Sequence, residues 1–131
     1  MENKYSLPGI LIITSYPPRE CGIATYSQDL IFALKNKFTK SFDIKICALE
    51  IASEKHNYPQ EVKYVLEADN QNSYLALAEK INDNSNISMV LIQHEFGLFK
   101  TNETDFIQLL QTINKPIIVV FHKVLPNPND A

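Results

Sequence analysis

The chain has 131 residues, of which 45% are hydrophobic and 21% are charged, so it has room for one globular domain with a sizeable core. Its net charge is −3, and its Lys and Arg residues are not clustered, which excludes a surface that follows the phosphates of a nucleic acid. No apolar run approaches the roughly 18 residues that would span a bilayer.

Two cysteines, Cys21 and Cys47, are too few for a disulfide scaffold and lack the paired spacing of a zinc site. A reduced pair of thiols is the expected state, because cytosolic proteins rarely carry structural disulfides. The sequence therefore predicts a cytoplasmic protein.

Five apolar runs predict β-strands. Those at 9–15, 89–93 and 116–121 are short, continuous and rich in Ile, Val and Leu, which is typical of strands buried on both faces of a parallel sheet. The run at 43–49 alternates more and suits a less central strand. A weaker run at 62–66 is predicted as an edge strand within the polar segment 50–72.

Three segments between these strands have the spacing of amphipathic helices. The first runs from residue 23 to about 38, and the third is predicted to begin near Asn102, three residues before Asp105. The expected apolar faces consist of Ile23, Tyr26, Leu30, Ala33 and Leu34 in the first helix, Tyr74, Leu77, Ala78 and Ile81 in the second, and Phe106, Leu109, Leu110 and Ile113 in the third.

The resulting order, β-α-β-β-α-β-α-β, predicts a Rossmann-like three-layer α/β/α domain with a mainly parallel sheet and strand order 3-2-1-4-5. The segment 125–131 is a turn-rich exit that directly follows a buried strand. We therefore expect that the chain is a fragment of a longer protein.

Ligands of such folds bind beyond the carboxyl ends of the strands, where the connections diverge. Three neighbouring strands are followed there by YPPRECGIAT at 16–25, HEFGLF at 94–99 and HKVLP at 122–126. Two histidines, an arginine, a glutamate and two of the three glycines are thus expected at one edge of the sheet.

Each of these residues also has a structural interpretation. Gly22 permits either a tight strand-to-helix turn or the approach of a phosphate or sugar hydroxyl to a helix N-terminus. Arg19 is either solvated or a contact to a diphosphate. His94 and His122 are either core histidines at strand ends or site residues, and Glu95 pairing with Arg19 or a backbone amide would be purely structural.

The chain carries three ordered motifs, SYPPRECGIATYSQDL at 15–30, IQHEFGLF at 92–99 and FHKVLPNP at 121–128. They resemble the corresponding segments of bacterial family 4 glycosyltransferases of the GT-B fold, in the subgroup with YPPR-x-CGIA-T and QHEFG motifs. Lys123 stands where that subgroup commonly has Thr, and Lys100-Thr101 replaces a frequent glycine pair.

The resemblance implies that residues 1–131 are the N-terminal, acceptor-side domain of a retaining hexosyltransferase of carbohydrate biosynthesis. The C-terminal donor-binding domain, with its paired-glutamate motif, would be absent from this chain, which alone would be inactive. The donor would be a nucleoside diphosphate sugar and the acceptor a glycan, lipid or small molecule, with no cofactor, no metal and no nucleic acid. Peripheral membrane contact of the full-length protein stays open.

The same resemblance implies roles for individual residues. His122 would contact the donor sugar near the reacting carbon and is the expected catalytic residue. The donor-phosphate and acceptor loop would consist of Arg19, Cys21, Gly22, Ile23, Ala24 and Thr25, and the cleft lining of His94, Glu95, Phe96 and Gly97.

The alternative is a self-contained flavodoxin-like or receiver-like module that binds a small ligand or a partner protein. A receiver needs acidic residues after the first strand and a phosphorylatable Asp at a strand end, where this chain has Ser15-Tyr16 and Gln93-His94. A flavin site would give a yellow preparation, which distinguishes the two hypotheses.

Overall fold

A five-stranded parallel sheet forms the centre of the protein in a computed structural model that describes residues 7–122. Strands β1 to β5 comprise Gly9–Thr14, Asp43–Glu50, Val62–Glu67, Ile87–Glu95 and Ile117–His122. Helices α1 to α4 comprise Gly22–Lys37, Gln71–Asp83, Phe96–Phe99 and Glu103–Thr112. The predicted exit at 125–131 lies outside the described residues.

All four strand pairs are parallel, and their order is β3-β2-β1-β4-β5. The predicted α/β class, strand order and edge position of β3 are therefore confirmed. The short helix α3 directly after β4 was not predicted, because four residues are too few to show a helical period.

Helices cover both faces of the sheet. On one face α2 and α4 pack over apolar side chains of β1, β2, β4 and β5, and on the other α1 packs over β1 and β2. The two apolar clusters explain the continuous apolar runs, since alternate residues of each strand point to opposite faces. Among residues 7–122, Ile118 and Val120 on the α1 face of β5 are exposed.

The predicted apolar faces of α2 and α4 are confirmed, but that of α1 is wrong by about one residue. Its buried side chains are Ala24, Ser27 and Ile31, whereas Tyr26 is 54% exposed. Ser27 is buried because its hydroxyl forms a hydrogen bond with that of Thr14 on β1, at 2.7 Å. A polar residue that pairs with another in the core has no hydrophobic signal in the sequence.

Gly9 does more than open a strand. Its N–H donates to the backbone carbonyl of Asn86 at 2.8 Å, and a Cβ at position 9 would lie 2.2 Å from the same oxygen. The start of β1 therefore approaches the chain before β4 at a distance that only glycine allows.

Candidate functional site

The β1–α1 loop is anchored by the buried residues with which it begins. Tyr16 is fully buried, and its hydroxyl donates to Glu61 Oε2 at 2.9 Å. Burial, followed by the hydrogen bond and negative charge of Glu61, raises the pKa of Tyr16 to about 12. The Tyr16 carbonyl in turn accepts from the Arg19 N–H at 3.1 Å, so the chain turns across Pro17 and Pro18 from a fixed point.

Helix α1 begins directly after this turn, with Cys21 as its N-cap. The Cys21 backbone is extended, and its Sγ accepts from the Ala24 N–H at 3.3 Å. The Cys21 carbonyl accepts from the Thr25 N–H at 3.2 Å. Because the first amides of a helix lack intrahelical partners, those of Gly22 and Ile23, ahead of the capped pair, are the ones that a ligand would use.

Gly22 leaves open space at the N-terminus of α1. A Cβ at this position would meet nothing within 4 Å, and the backbone does not adopt a positive φ. Glycine is therefore not required there by the turn or by packing within the described part of the chain. Gly97 in α3 has equally open surroundings.

Arg19 pairs with Glu54 and not with Glu95, which corrects one of the structural interpretations. Its Nη1 lies 2.9 Å from Glu54 Oε2. The pair lines a groove of about 470 Å³ whose walls also include Pro18, Glu20 and His56. The Arg19 charge is thus balanced by a carboxylate, and a diphosphate would have to compete with Glu54.

A polar cluster, consisting of Ser15, Tyr26, Gln93, Glu95 and His122, lies where β1 and β4 end on the α1 side of the sheet. The Ser15 hydroxyl donates to Glu95 Oε2, and His122 Nε2 forms a hydrogen bond with Gln93 Oε1. The Tyr26 ring meets the His122 ring edge-on at 6.3 Å between centroids. Side chains from α1 and from β1, β4 and β5 or the segments that follow them therefore converge at one point.

His94 lies on the other face, inside a cluster of phenylalanines. It is 3% exposed, and ring centroids of Phe96, Phe99, Phe106 and Phe121 lie 4.6 to 5.1 Å from its own. Its Nδ1 is buried and has no hydrogen-bond partner among the described residues. Desolvation lowers the pKa of His94, partly opposed by the charge of Glu103.

The two histidines lie on neighbouring strands, as predicted, but one residue out of register. His94 pairs with Phe121, and Glu95 pairs with His122. Because paired residues of parallel strands share a face, the offset directs His94 and His122 to opposite sides of the sheet. Of the predicted cleft lining, Phe96 is exposed, Glu95 is half-buried, and the roles of all four residues stay predictions.

Three members of the polar cluster, Ser15, Gln93 and Tyr26, were not predicted as site residues. Gln93 carried a usable signal, since it is the one polar residue of the predicted apolar run 89–93 and precedes Glu95 by two positions. Tyr26 had been expected in the core.

Comparison with known proteins assigns no relative. No family model, curated protein or solved structure matches the chain.

Within residues 7–122 no group of three or more His, Cys, Asp or Glu side chains is arranged to hold a metal ion. In the same range, no helix is both long and apolar enough to cross a membrane.

Proposed function

We propose that this chain is the acceptor-side domain of a retaining glycosyltransferase that uses a nucleoside diphosphate sugar. The observation that carries the proposal is the meeting of the three motif segments in the polar cluster at the carboxyl edge of the sheet. Ser15, Glu95 and His122 come from separate motifs, 80 and 27 residues apart along the chain, and are joined through contacts between side chains or strands. The carboxyl edge is also where ligands of open α/β sheets bind.

The N-terminus of α1 suits the negative charge that develops on a leaving diphosphate. The amides of Gly22 and Ile23 precede the Ala24 amide that Cys21 caps, no side chain covers them at Gly22, and the helix dipole is positive at this end. Such groups stabilise a developing charge without reorganisation, which is the main contribution expected of a protein to transfer through an oxocarbenium-like state.

The carboxylates at the carboxyl edge of the sheet favour a ligand that offers hydroxyl groups over a ligand that is negatively charged. Glu20, Glu54, Glu61 and Glu95 all lie at or beside the β1–α1 loop, whereas Arg19 is the cation of that loop and pairs with Glu54. Carboxylates accept hydrogen bonds from sugar hydroxyls and repel phosphates. This charge pattern agrees with an acceptor-side domain whose donor is bound mostly by other residues.

In this proposal His122 contacts the sugar during transfer. It ends β5, is half-buried, and is bounded by Gln93 and Tyr26, so its ring has a defined orientation at the rim of the edge. A held imidazole contributes to catalysis by positioning.

Binding to the isolated chain tests the proposal. Nucleoside diphosphate sugars should bind at millimolar strength or weaker, about −4 kcal/mol, because the base and ribose would remain in water. Amide chemical shifts should move at Cys21–Thr25 and at residues 93–96, and Gly22→Ala should reduce these changes without loss of fold. Gly22→Ala should leave shifts caused by dilute salt alone unchanged, which controls for non-specific anion binding.

Two results would contradict the proposal. Micromolar binding of the nucleotide sugar would mean that the site is complete in this chain. Shift changes confined to the α2–α4 side of the sheet would place binding away from the polar cluster. In a protein extended to both domains, His122→Ala should lower turnover and largely spare nucleotide affinity.

A further inference from the structure

Gln93 is a buried amide whose side chain contacts the imidazole of the proposed catalytic histidine. We propose that Gln93 is a positioning residue that holds the proton of neutral His122 on Nε2 and so presents Nδ1 as a hydrogen-bond acceptor for a ligand hydroxyl. The identity of the ligand rests on the proposed function, whereas the proton position does not.

The hydrogen bond between the two side chains determines the tautomer. The Gln93 atom in contact with His122 Nε2 is Oε1, a carbonyl oxygen that can only accept. A neutral imidazole carries one N–H and one lone pair. With the amide oxygen turned toward the ring, as the structure assigns it, the N–H is at Nε2 and the lone pair at Nδ1. Fixing one ring nitrogen through its partner is a general way in which proteins set the role of the other.

The Gln93 amide is held more firmly than a surface residue could be. It is 2% exposed and follows Ile92, the last residue of β4 that pairs with β1. Its register partner on β5 is Val120, two residues before His122, so both side chains lie on the α1 face. Burial therefore restricts the side-chain rotamers by which the amide could turn away from the ring.

Two further neighbours of the His122 ring within residues 7–122 agree with this assignment. Tyr26 meets the His122 ring through an edge contact between aromatic rings. Glu95, the register partner of His122, accepts the hydroxyl of Ser15 through Oε2. The Glu95 carboxylate beside the ring favours a ligand group that donates a hydrogen bond, because a negatively charged group there would be repelled.

The chemical consequence is selectivity among ligand atoms. A lone pair at Nδ1 accepts a hydrogen bond from a sugar hydroxyl, whereas the oxygens of a fully ionised phosphate have no proton to donate. His122 would then distinguish the sugar from the diphosphate of the same donor molecule. The diphosphate would be left to the N-terminus of α1, where the free amides of Gly22 and Ile23 are donors.

Nuclear magnetic resonance of the chain tests the proton position without any ligand. At about pH 8.5 imidazoles are neutral, since their ordinary pKa is about 6.5, and nitrogen-15 shifts then distinguish the two tautomers. We expect His122 to be the Nε2–H tautomer, with an Nε2–H proton visible because the hydrogen bond slows its exchange with water. The imidazoles of His56 and His94 provide internal controls, since His56 lies beside Tyr58 and the His94 ring lies on the opposite face of the sheet from the Gln93 amide.

Three variants make the test decisive. Gln93→Leu removes the acceptor at similar volume, and Gln93→Asn keeps the amide but is one methylene too short, so both should lose the protected proton. Gln93→Glu keeps an acceptor at the same position and should restore it. The amide spectra of the β4 and β5 neighbours report whether each variant is folded.

A proton on Nδ1 of His122 in the wild-type chain would overturn the proposal. So would a protected Nε2–H proton that survives unchanged in folded Gln93→Leu or Gln93→Asn. Either result leaves the proposed glycosyltransferase function standing, because that function is tested by nucleotide-sugar binding, which does not require the proton to be on a particular nitrogen of His122. Conversely, a chain that binds no nucleotide sugar would leave the tautomer result unaffected.

Discussion

Replacing Gly9 with alanine should destabilise the fold through one contact. The new Cβ would lie 2.2 Å from the carbonyl oxygen of Asn86 and 3.2 Å from its carbonyl carbon. The obstructing atoms belong to the backbone, so no side-chain rotation relieves the overlap. The start of β1 must move away from the chain that precedes β4, and the 2.8 Å hydrogen bond from the Gly9 N–H must lengthen.

The expected cost follows from these two effects. Overpacking a well-packed site typically costs about 1–3 kcal/mol, and a lost hydrogen bond adds about 1 kcal/mol. Alanine offsets roughly 0.5 kcal/mol by restricting the unfolded chain. We therefore expect the free energy of unfolding to fall by about 2–3 kcal/mol, and the melting temperature to fall by roughly 8 °C for a domain of this size.

Gly22→Ala is the matched control, because the same atom is added where nothing lies within 4 Å. We expect its free energy of unfolding to rise by about 0.5 kcal/mol, since alanine is more stable in a helix than glycine is. Urea unfolding followed by circular dichroism measures both variants on one scale. Equal free energies of unfolding for Gly9→Ala and Gly22→Ala would refute the argument. They would show that the start of β1 can move away from Asn86 without loss of stability.

Two further predictions concern buried titratable groups. Burial lowers the pKa of His94 in the folded chain, so the unfolded chain gains a proton at this residue first as the pH falls below about 6.5. The free energy of unfolding should then drop by at most about 1.4 kcal/mol per pH unit. Urea titrations at several pH values should show a smaller slope for His94→Phe. An unchanged slope in the variant would contradict the assignment. Cys47 is buried and desolvation raises its pKa, whereas Cys21 is half-buried, so a thiol reagent should label only Cys21 in the folded chain and both cysteines after unfolding without reductant. Mass spectrometry measures both states, and a disulfide between them would show as no labelling in either.

Much of the fold follows from apolar patterning alone. Continuous apolar runs identified the strands, and the sequence of strands and helices with right-handed crossovers gave their order. The apolar pattern gave a wrong prediction for α1, where a polar residue is buried and an aromatic residue is exposed. Ser27 is buried and pairs with Thr14, whereas Tyr26 is exposed and its ring lies beside His122 at the edge of the sheet.

The candidate site was predictable to the level of strand ends, but not to the level of faces. Alternation shows that His94 and Glu95 point in opposite directions, yet it does not show how β4 and β5 are aligned. That register depends on how α4 packs and on where the chain turns into β5 at Pro116, which are tertiary properties. The contact of Gln93 with His122 follows from the register and so became visible only with it.

Strand β4 supplies the aromatic cluster with His94 and the polar cluster with Gln93 and Glu95, and it does so by strict alternation. A deletion or insertion of one residue within the strand would exchange the two sets, moving an imidazole to the rim and a carboxylate among phenylalanines. Sequences that share this architecture can therefore change length in the loops on either side of β4 but not between Val90 and Glu95. Redesign of the site is likewise restricted to substitutions, each of which alters one face and leaves the other in place.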